Sequence, residues 1–269
     1  MESRRNFLKG ALATAVLGGL ESSLSGCTVH IQSGSLLQWL FPHAYSQEEI
    51  QRFHETEAKV NSLRLDLLQL HQTNYRAMMR EHYAFAGLEH LQSDEYIVSA
   101  EIMEVFTEAA GTKKKGMNTW GMYFDYSPSP AQQHECKRLL GHLQISFHDR
   151  IALQTLFSLP QKIVYKEQIF FDGNYGIIMP HERAHRYMDQ SLTETEHRRL
   201  EEGYERMRRL TFETSDPLTL DRLNYAFTNY TEFFPTLVEG LLPEVENALQ
   251  EHIPKANIVY QSIKEASQL

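Results

Sequence analysis

The sequence predicts an α+β chain, predominantly helical, with a small mixed sheet set ahead of one motif-bearing helix. Three observations predict it. Several segments carry apolar residues at helical spacing behind helix-starting caps, the longest beginning at Ser46. One stretch, 161–180, is instead rich in β-branched and aromatic residues around an Asp-Gly-Asn turn. The composition, 42% hydrophobic and 11% aromatic, can fill a core and excludes wholesale disorder. At 269 residues the chain suits one or two domains.

The first residues follow a different logic. Ser3-Arg4-Arg5-Asn6-Phe7-Leu8-Lys9 precedes an apolar run, Ala11 to Leu20, too short to span a bilayer as mature structure. This is the pattern of a signal peptide over 1–26, and it resembles a twin-arginine export signal. Leu24-Ser25-Gly26-Cys27 resembles a bacterial lipobox, which makes Cys27 the expected lipid-anchored N-terminus of an exported lipoprotein. Thr28 at the next position, where an Asp is absent, points by that family's rule to the outer membrane, facing the periplasm or cell surface. Once Cys27 is acylated only Cys136 remains, so no intramolecular disulfide is expected. Twin-arginine substrates are exported folded, often already loaded with a metal or cofactor, which draws attention to candidate metal ligands.

Residues 27–45, with Gly and Ser and no period, read as a tether. Residues 46–160 form a mainly helical N-terminal region. Ser46 and Glu49 make a capping box that opens a helix to about Phe85, striped by Leu63, Leu67, Leu68 and Leu70. Further helices are expected over Glu95–Ala110, closed by Gly111, and over Pro130–Leu143. The basic run Lys113-Lys114-Lys115 between glycines reads as a solvated loop. With a net charge of -9 and a pI near 5.8, the chain lacks the clustered cations a nucleic-acid partner requires.

Residues 161–269 read as a second, catalytic region. Ile163-Val164-Tyr165 and Ile169-Phe170-Phe171, then Tyr175-Gly176-Ile177-Ile178 after the turn, predict strands. Pro180 is expected in the first turn of a helix starting on His181. A polar helix over Thr193–Leu210, a break at Asp216-Pro217 and a last helix from Thr231 to Gln250 complete the chain.

His181-Glu182-Arg183-Ala184-His185 carries the chemistry. On a helix, residues four apart share a face, so two imidazoles can reach one tetrahedral metal. Glu182 is then placed to take a proton from a metal-polarised water. Arg183, a charged residue inside the motif, points away from that face. A catalytic zinc needs a third protein ligand and an open position. Met188 and Ser191 stand where a metzincin would need Gly and His, which excludes that family. Glu205, twenty residues after His185, has the spacing of thermolysin-like enzymes but lies in a solvated, charged helix face. A third candidate, Glu232, is suggested by what its surrounding segment resembles.

Thr228-Asn229-Tyr230-Thr231-Glu232-Phe233-Phe234, 47 residues from His185 to Glu232, resembles the metallopeptidase domain of the anthrax lethal factor family, to which the clostridial Pro-Pro endopeptidases are related. The resemblance covers about a third of the chain, from Gln161 to Gln250. It implies a zincin-like domain with one Zn²⁺ on His181, His185 and Glu232, Glu182 as general base, and Tyr225 as the hydroxyl that meets the oxyanion. The implied activity is hydrolysis of a peptide or protein in the cell envelope or outside the cell, with an extended substrate added to a strand edge ending near Ile178. Two positions depart from the family. Thr236 stands where it has an acid orienting a ligand His, and Asp189 is the candidate replacement. Arg183 and Thr236 motivate the alternative, a non-catalytic zinc-binding envelope lipoprotein.

Overall fold

The structure is a computed structural model that describes residues 46–83, 86–112 and 118–269. The expected signal peptide, the anchor at Cys27, the tether and the Lys113–Lys115 loop lie outside the described residues. The chain is mostly helical with one three-stranded mixed sheet, and no described helix is long and apolar enough to cross a membrane.

It divides into two compact units, neither of which is the contiguous half expected from the sequence. Among the described residues the first comprises 46–75, 104–112 and 127–159. Helix α1, Gln47–Tyr83, opens with the Ser46/Glu49 capping box: Glu49 N–H donates to Ser46 Oγ and Ser46 N–H to Glu49 Oε2. Helix α2, Ala100–Ala110, ends in this unit. Helix α3, Pro130–Gly141, starts from a second capping box on Ser129, and α4, Phe147–Ser158, from Ser146. Phe106 and Phe157, rings 5.1 Å apart, sit in its interior with Leu140 and Leu156.

The second unit comprises, among the described residues, 76–83, 86–103, 118–126 and 160–269. Strand β1, Glu95–Val98, occupies the start of what the sequence suggested was one helix, 95–110. The reason is local. Tyr96-Ile97-Val98 favours extended backbone, and Ser99 accepts the Ile102 N–H, so the helix starts only at Ala100. Strands β2, Gly121–Phe124, and β3, Lys162–Lys166, complete the sheet in the order β1-β3-β2, with β1 parallel and β2 antiparallel to β3. β3 is central and buried along its whole length.

The strands expected after β3 are helical. Ile169-Phe170-Phe171 lies in a short helix, α5, Gln168–Phe171, closed by Gly173 at φ +71°. Ile169 and Phe170 are buried while Phe171 is exposed. Tyr175–Ile178 is the first turn of α6, Tyr175–Ser191, which begins six residues before His181 and carries Pro180 inside it. Phe170 stacks on Tyr175 at 6.1 Å and secures that extra turn. The strand edge expected near Ile178 therefore does not exist; the edge strand beside α6 is β2.

Five helices follow: α7 (Glu194–Met207), α8 (Pro217–Ala226), α9 (Tyr230–Val238), α10 (Pro243–His252) and α11 (Pro254–Gln268). The single helix expected over 231–250 is two, parted by Gly240 at φ +71° and Pro243. Phe233, Phe234, Leu249, Tyr260 and Ile263 are fully buried among them and form the core on which α6 rests.

Candidate metal centre

Helix α6 supplies His181, Glu182 and His185. Its opposite side is tied to β1. The Arg183 guanidinium, itself buried, donates to both carboxylate oxygens of Glu95 at 2.7 and 2.9 Å and to the His90 carbonyl at 2.6 Å. Arg186, one turn of helix away, bonds Asp94 at 2.6 Å. The charged residue that looked out of place in the motif is thus the clamp that fixes the rotation of α6. With that face held, both histidines point the other way.

Glu232 comes from the first turn of α9. Asn229 caps this helix, its side chain accepting the Glu232 N–H at 3.0 Å and also receiving the Thr231 hydroxyl. The neighbouring Phe233 and Phe234 are fully buried and anchor the turn. The cap and the aromatic pair of the Thr-Asn-Tyr-Thr-Glu-Phe-Phe segment therefore serve to aim one carboxylate.

His181, His185 and Glu232 form a group that could hold a metal ion, with one donor atom of each within 4.8 Å of the others. The two Nε2 atoms are 3.1 Å apart, and Glu232 Oε2 lies 3.5 Å from the His181 nitrogen and 3.3 Å from that of His185. A tetrahedral metal with bonds of about 2.1 Å separates its donors by roughly 3.4 Å, so the spacing fits an ion without rearrangement. Glu232 Oε2 is also buried and has no well-directed hydrogen bond among the described residues, as expected of an oxygen that serves a metal. Side-chain exposure is 18% at His185 and 23% at Glu232, against 7% at His181, so the triad is open on one side.

Charge in the site follows from burial and crowding. Burial alone would lower His181, but the Glu232 and Glu239 carboxylates reverse this and raise it to about 10. Burial opposes ionisation of Glu232, yet the two imidazoles hold it well below the usual carboxylate range. Burial raises the Glu182 carboxyl, and the two histidines only partly offset this. Tyr225, in the last turn of α8, has its ring 6.0 Å from that of His181. Its hydroxyl is pushed up by burial and then by the Glu232 carboxylate it contacts.

Two acids fall differently from the sequence expectation. Asp189 does not orient a histidine; it accepts a 2.7 Å hydrogen bond from the Tyr123 hydroxyl and so ties β2 to the end of α6. The acid beside His181 is Glu239, buried, with Oε1 2.8 Å from Nδ1. Thr236, where an acid was sought, turns its hydroxyl back to the Glu232 carbonyl at 2.7 Å. Glu239 lies seven residues beyond Glu232, one further helical repeat, and that spacing was its available signal. Glu205 pairs with Arg208 on α7 and takes no part in the group.

Gly121 was also missed. It lies against Glu182, where a β-carbon would stand 2.6 Å from Glu182 Cγ and 2.8 Å from Oε1. Trp120 pairs with Lys166 through a 2.9 Å backbone bond. By antiparallel alternation, the backbone polar groups of Gly121 and Tyr123 then face away from β3, and the Tyr123 backbone N–H is hydrogen-bonded to the Glu182 carboxylate.

No family model, no curated protein and no solved structure matches this chain.

Proposed function

We propose that the chain is a zinc-dependent endopeptidase with a zincin-like catalytic unit of the lethal factor type, exported as a lipoprotein anchored through Cys27. The observation that carries the reading is the placement of Glu182. A buried carboxylate with raised proton affinity stands on the same helix as two convergent imidazoles, beside a third donor and a tyrosine hydroxyl. Zinc suits a set of two imidazoles and one carboxylate, where it polarises a carbonyl and acidifies a bound water.

The chain's own groups account for the remaining chemistry. The raised proton affinity of Glu182 suits a base that takes a proton from the attacking water and hands it to the leaving amine. The Tyr225 hydroxyl, kept protonated by its surroundings, donates to the carbonyl oxygen as that oxygen gains negative charge. The outward backbone groups of Gly121, with the Tyr123 carbonyl, can pair with an extended peptide and bring its scissile carbonyl beside Glu182. The substrate is therefore a peptide or protein segment in strand conformation, met in the envelope or outside the cell.

A second reading, a non-catalytic lipoprotein with structural zinc, draws on the unusual Arg183 and Thr236. Against it stand the partial exposure of His185 and Glu232, since structural zinc sites are closed on all sides, and the clamp role of Arg183. The test is digestion of a peptide library by the purified protein and its Glu182→Gln variant, with zinc content measured on both. Cleavage by the wild type, lost in the variant while zinc stays near one per chain, is the expected result. Cleavage retained by Glu182→Gln would remove the assignment, and zinc without cleavage in the wild type would favour the second reading.

A further inference from the structure

We propose that Arg222 and Glu239 are a pair of positioning residues that lock the His181 ring and hold the helix carrying Tyr225 against the same ligand. The inference rests on the reading of His181, His185 and Glu232 as a metal site.

Glu239 bridges two cationic or donor groups. Its Oε1 is 2.8 Å from His181 Nδ1, and its Oε2 is 3.4 Å from Arg222 Nε. The Glu239 side chain is 1% exposed. Glu239 Oε2 and Arg222 Nε are both buried, and neither makes another hydrogen bond among the described residues. A buried carboxylate needs a compensating charge. When His181 serves a metal as a neutral imidazole, with Nδ1–H toward Glu239, the cation left facing Glu239 is Arg222. Arg222 thus holds the carboxylate in place, and the carboxylate keeps the ring turned with Nε2 toward Glu232.

The second half of the inference follows from helix geometry. Arg222 and Tyr225 are three residues apart on α8 and share a face. The ion pair that neutralises Glu239 is therefore also the contact that draws this face of α8 toward His181, where the Tyr225 ring lies 6.0 Å from the imidazole. Metal retention and the placement of the oxyanion hydroxyl are joined through one carboxylate. A family-type acid four residues after Glu232 would have sat in the middle of α9; Glu239 caps the end of α9, where Arg222 is its neighbour.

The experiment measures zinc release to a chelator, together with kcat and KM for a cleaved peptide, in the full-length protein. The variants are Arg222→Met, Arg222→Gln, Arg222→Lys, Glu239→Gln, Tyr225→Phe and the Glu239→Gln/Arg222→Met double variant. Arg222→Met and Glu239→Gln are each expected to speed zinc release by about 10- to 100-fold, the usual cost of losing a group that orients a metal ligand. The double variant should be no worse than the worse single one, because both act through one chain of contacts. At saturating zinc, Arg222→Met should lower kcat with little change in KM, as Tyr225→Phe does without loss of zinc. Arg222→Lys, which restores the charge, should recover most of the retention. Should Arg222→Met not fold, Arg222→Gln carries the same expectation. Wild-type release rates in the Arg222→Met and Arg222→Gln variants, or strictly additive effects in the double variant, would overturn the proposal. A wild-type protein that takes up no zinc would instead remove the metal-site reading beneath it, and one that holds zinc without cleaving removes only the peptidase.

Discussion

Gly121 and Glu182 are packed so closely that any side chain on β2 at this position would occupy the space of the Glu182 carboxylate, with a β-carbon 2.6 Å from Cγ and 2.8 Å from Oε1. The two residues are 61 positions apart in the chain, and the contact exists because β2 lies along α6.

Gly121→Ala is accordingly expected to displace Glu182 while leaving the ligands in place. Zinc content should stay near one per chain and peptide cleavage should fall at least tenfold, since sub-ångström placement of a base decides its efficiency. Wild-type kcat in Gly121→Ala would show that Glu182 has room the structure does not give it.

Arg183→Ala should be among the most destabilising single changes in the chain. It leaves Glu95, fully buried, without its bidentate partner, and breaking such a pair from one side costs about 3–5 kcal/mol. Combining Arg183→Met with Glu95→Gln should recover part of the loss, because no buried charge is then stranded. Urea unfolding of the three proteins measures this, and a loss under about 1 kcal/mol for Arg183→Ala would contradict the clamp.

Helices α7 and α11 meet at Gly203, where a β-carbon would stand 2.7 Å from Ala256 Cβ. Gly203→Leu should force them apart and lower stability by about 1–3 kcal/mol, read as a shift in the urea midpoint. Ala256→Gly should relieve part of the strain in that background, and an absence of coupling between the two sites would sink the packing account.

Asp149 gives a pH dependence away from the site. The Ser146 hydroxyl first, and then His71 at 2.9 Å, hold its carboxyl below the ordinary range. A depressed carboxyl stabilises the fold above its unfolded value of about 3.9 and loses that contribution as pH falls through the lower folded value. Wild type should therefore exceed Asp149→Asn at neutral pH by no more than about 1 kcal/mol, since the group is partly exposed and screened. The gap should close as the solution is acidified toward pH ~2; a gap that widens in acid would reverse the sign.

Local signals were legible and long-range ones were not. The spacing of His181 and His185 follows from residues one turn apart on a helix, whereas Glu232 and Tyr225 were legible only through the resemblance of their segment to a known family; the structure gathers all four in one place. The capping box at Ser46 is equally local, and it is formed. The expected strands at 169–178 failed because the aromatic residues there are buried by stacking of Phe170 on Tyr175 between two helical segments and not by pairing in the sheet, a contact that propensity alone does not reveal. Glu239 was passed over because an acid was sought four residues after Glu232, whereas the partner of His181 lies seven after it. Gly121 has no side chain to mark it, and only the close approach of another element gives it a role.

Helix α9 grips one aromatic ring from both ends. Glu232 in its first turn lies 3.5 Å from Nε2 of His181, and Glu239 just past its last turn lies 2.8 Å from Nδ1 of the same ring. Seven residues come within about 20° of two full turns, so the helix works as a calliper whose jaws are set by its length. Its middle positions answer to the core and can change within the limits of packing. Its residue count answers to the width of an imidazole: removing one residue between the jaws would swing Glu239 through about 100° and open the grip.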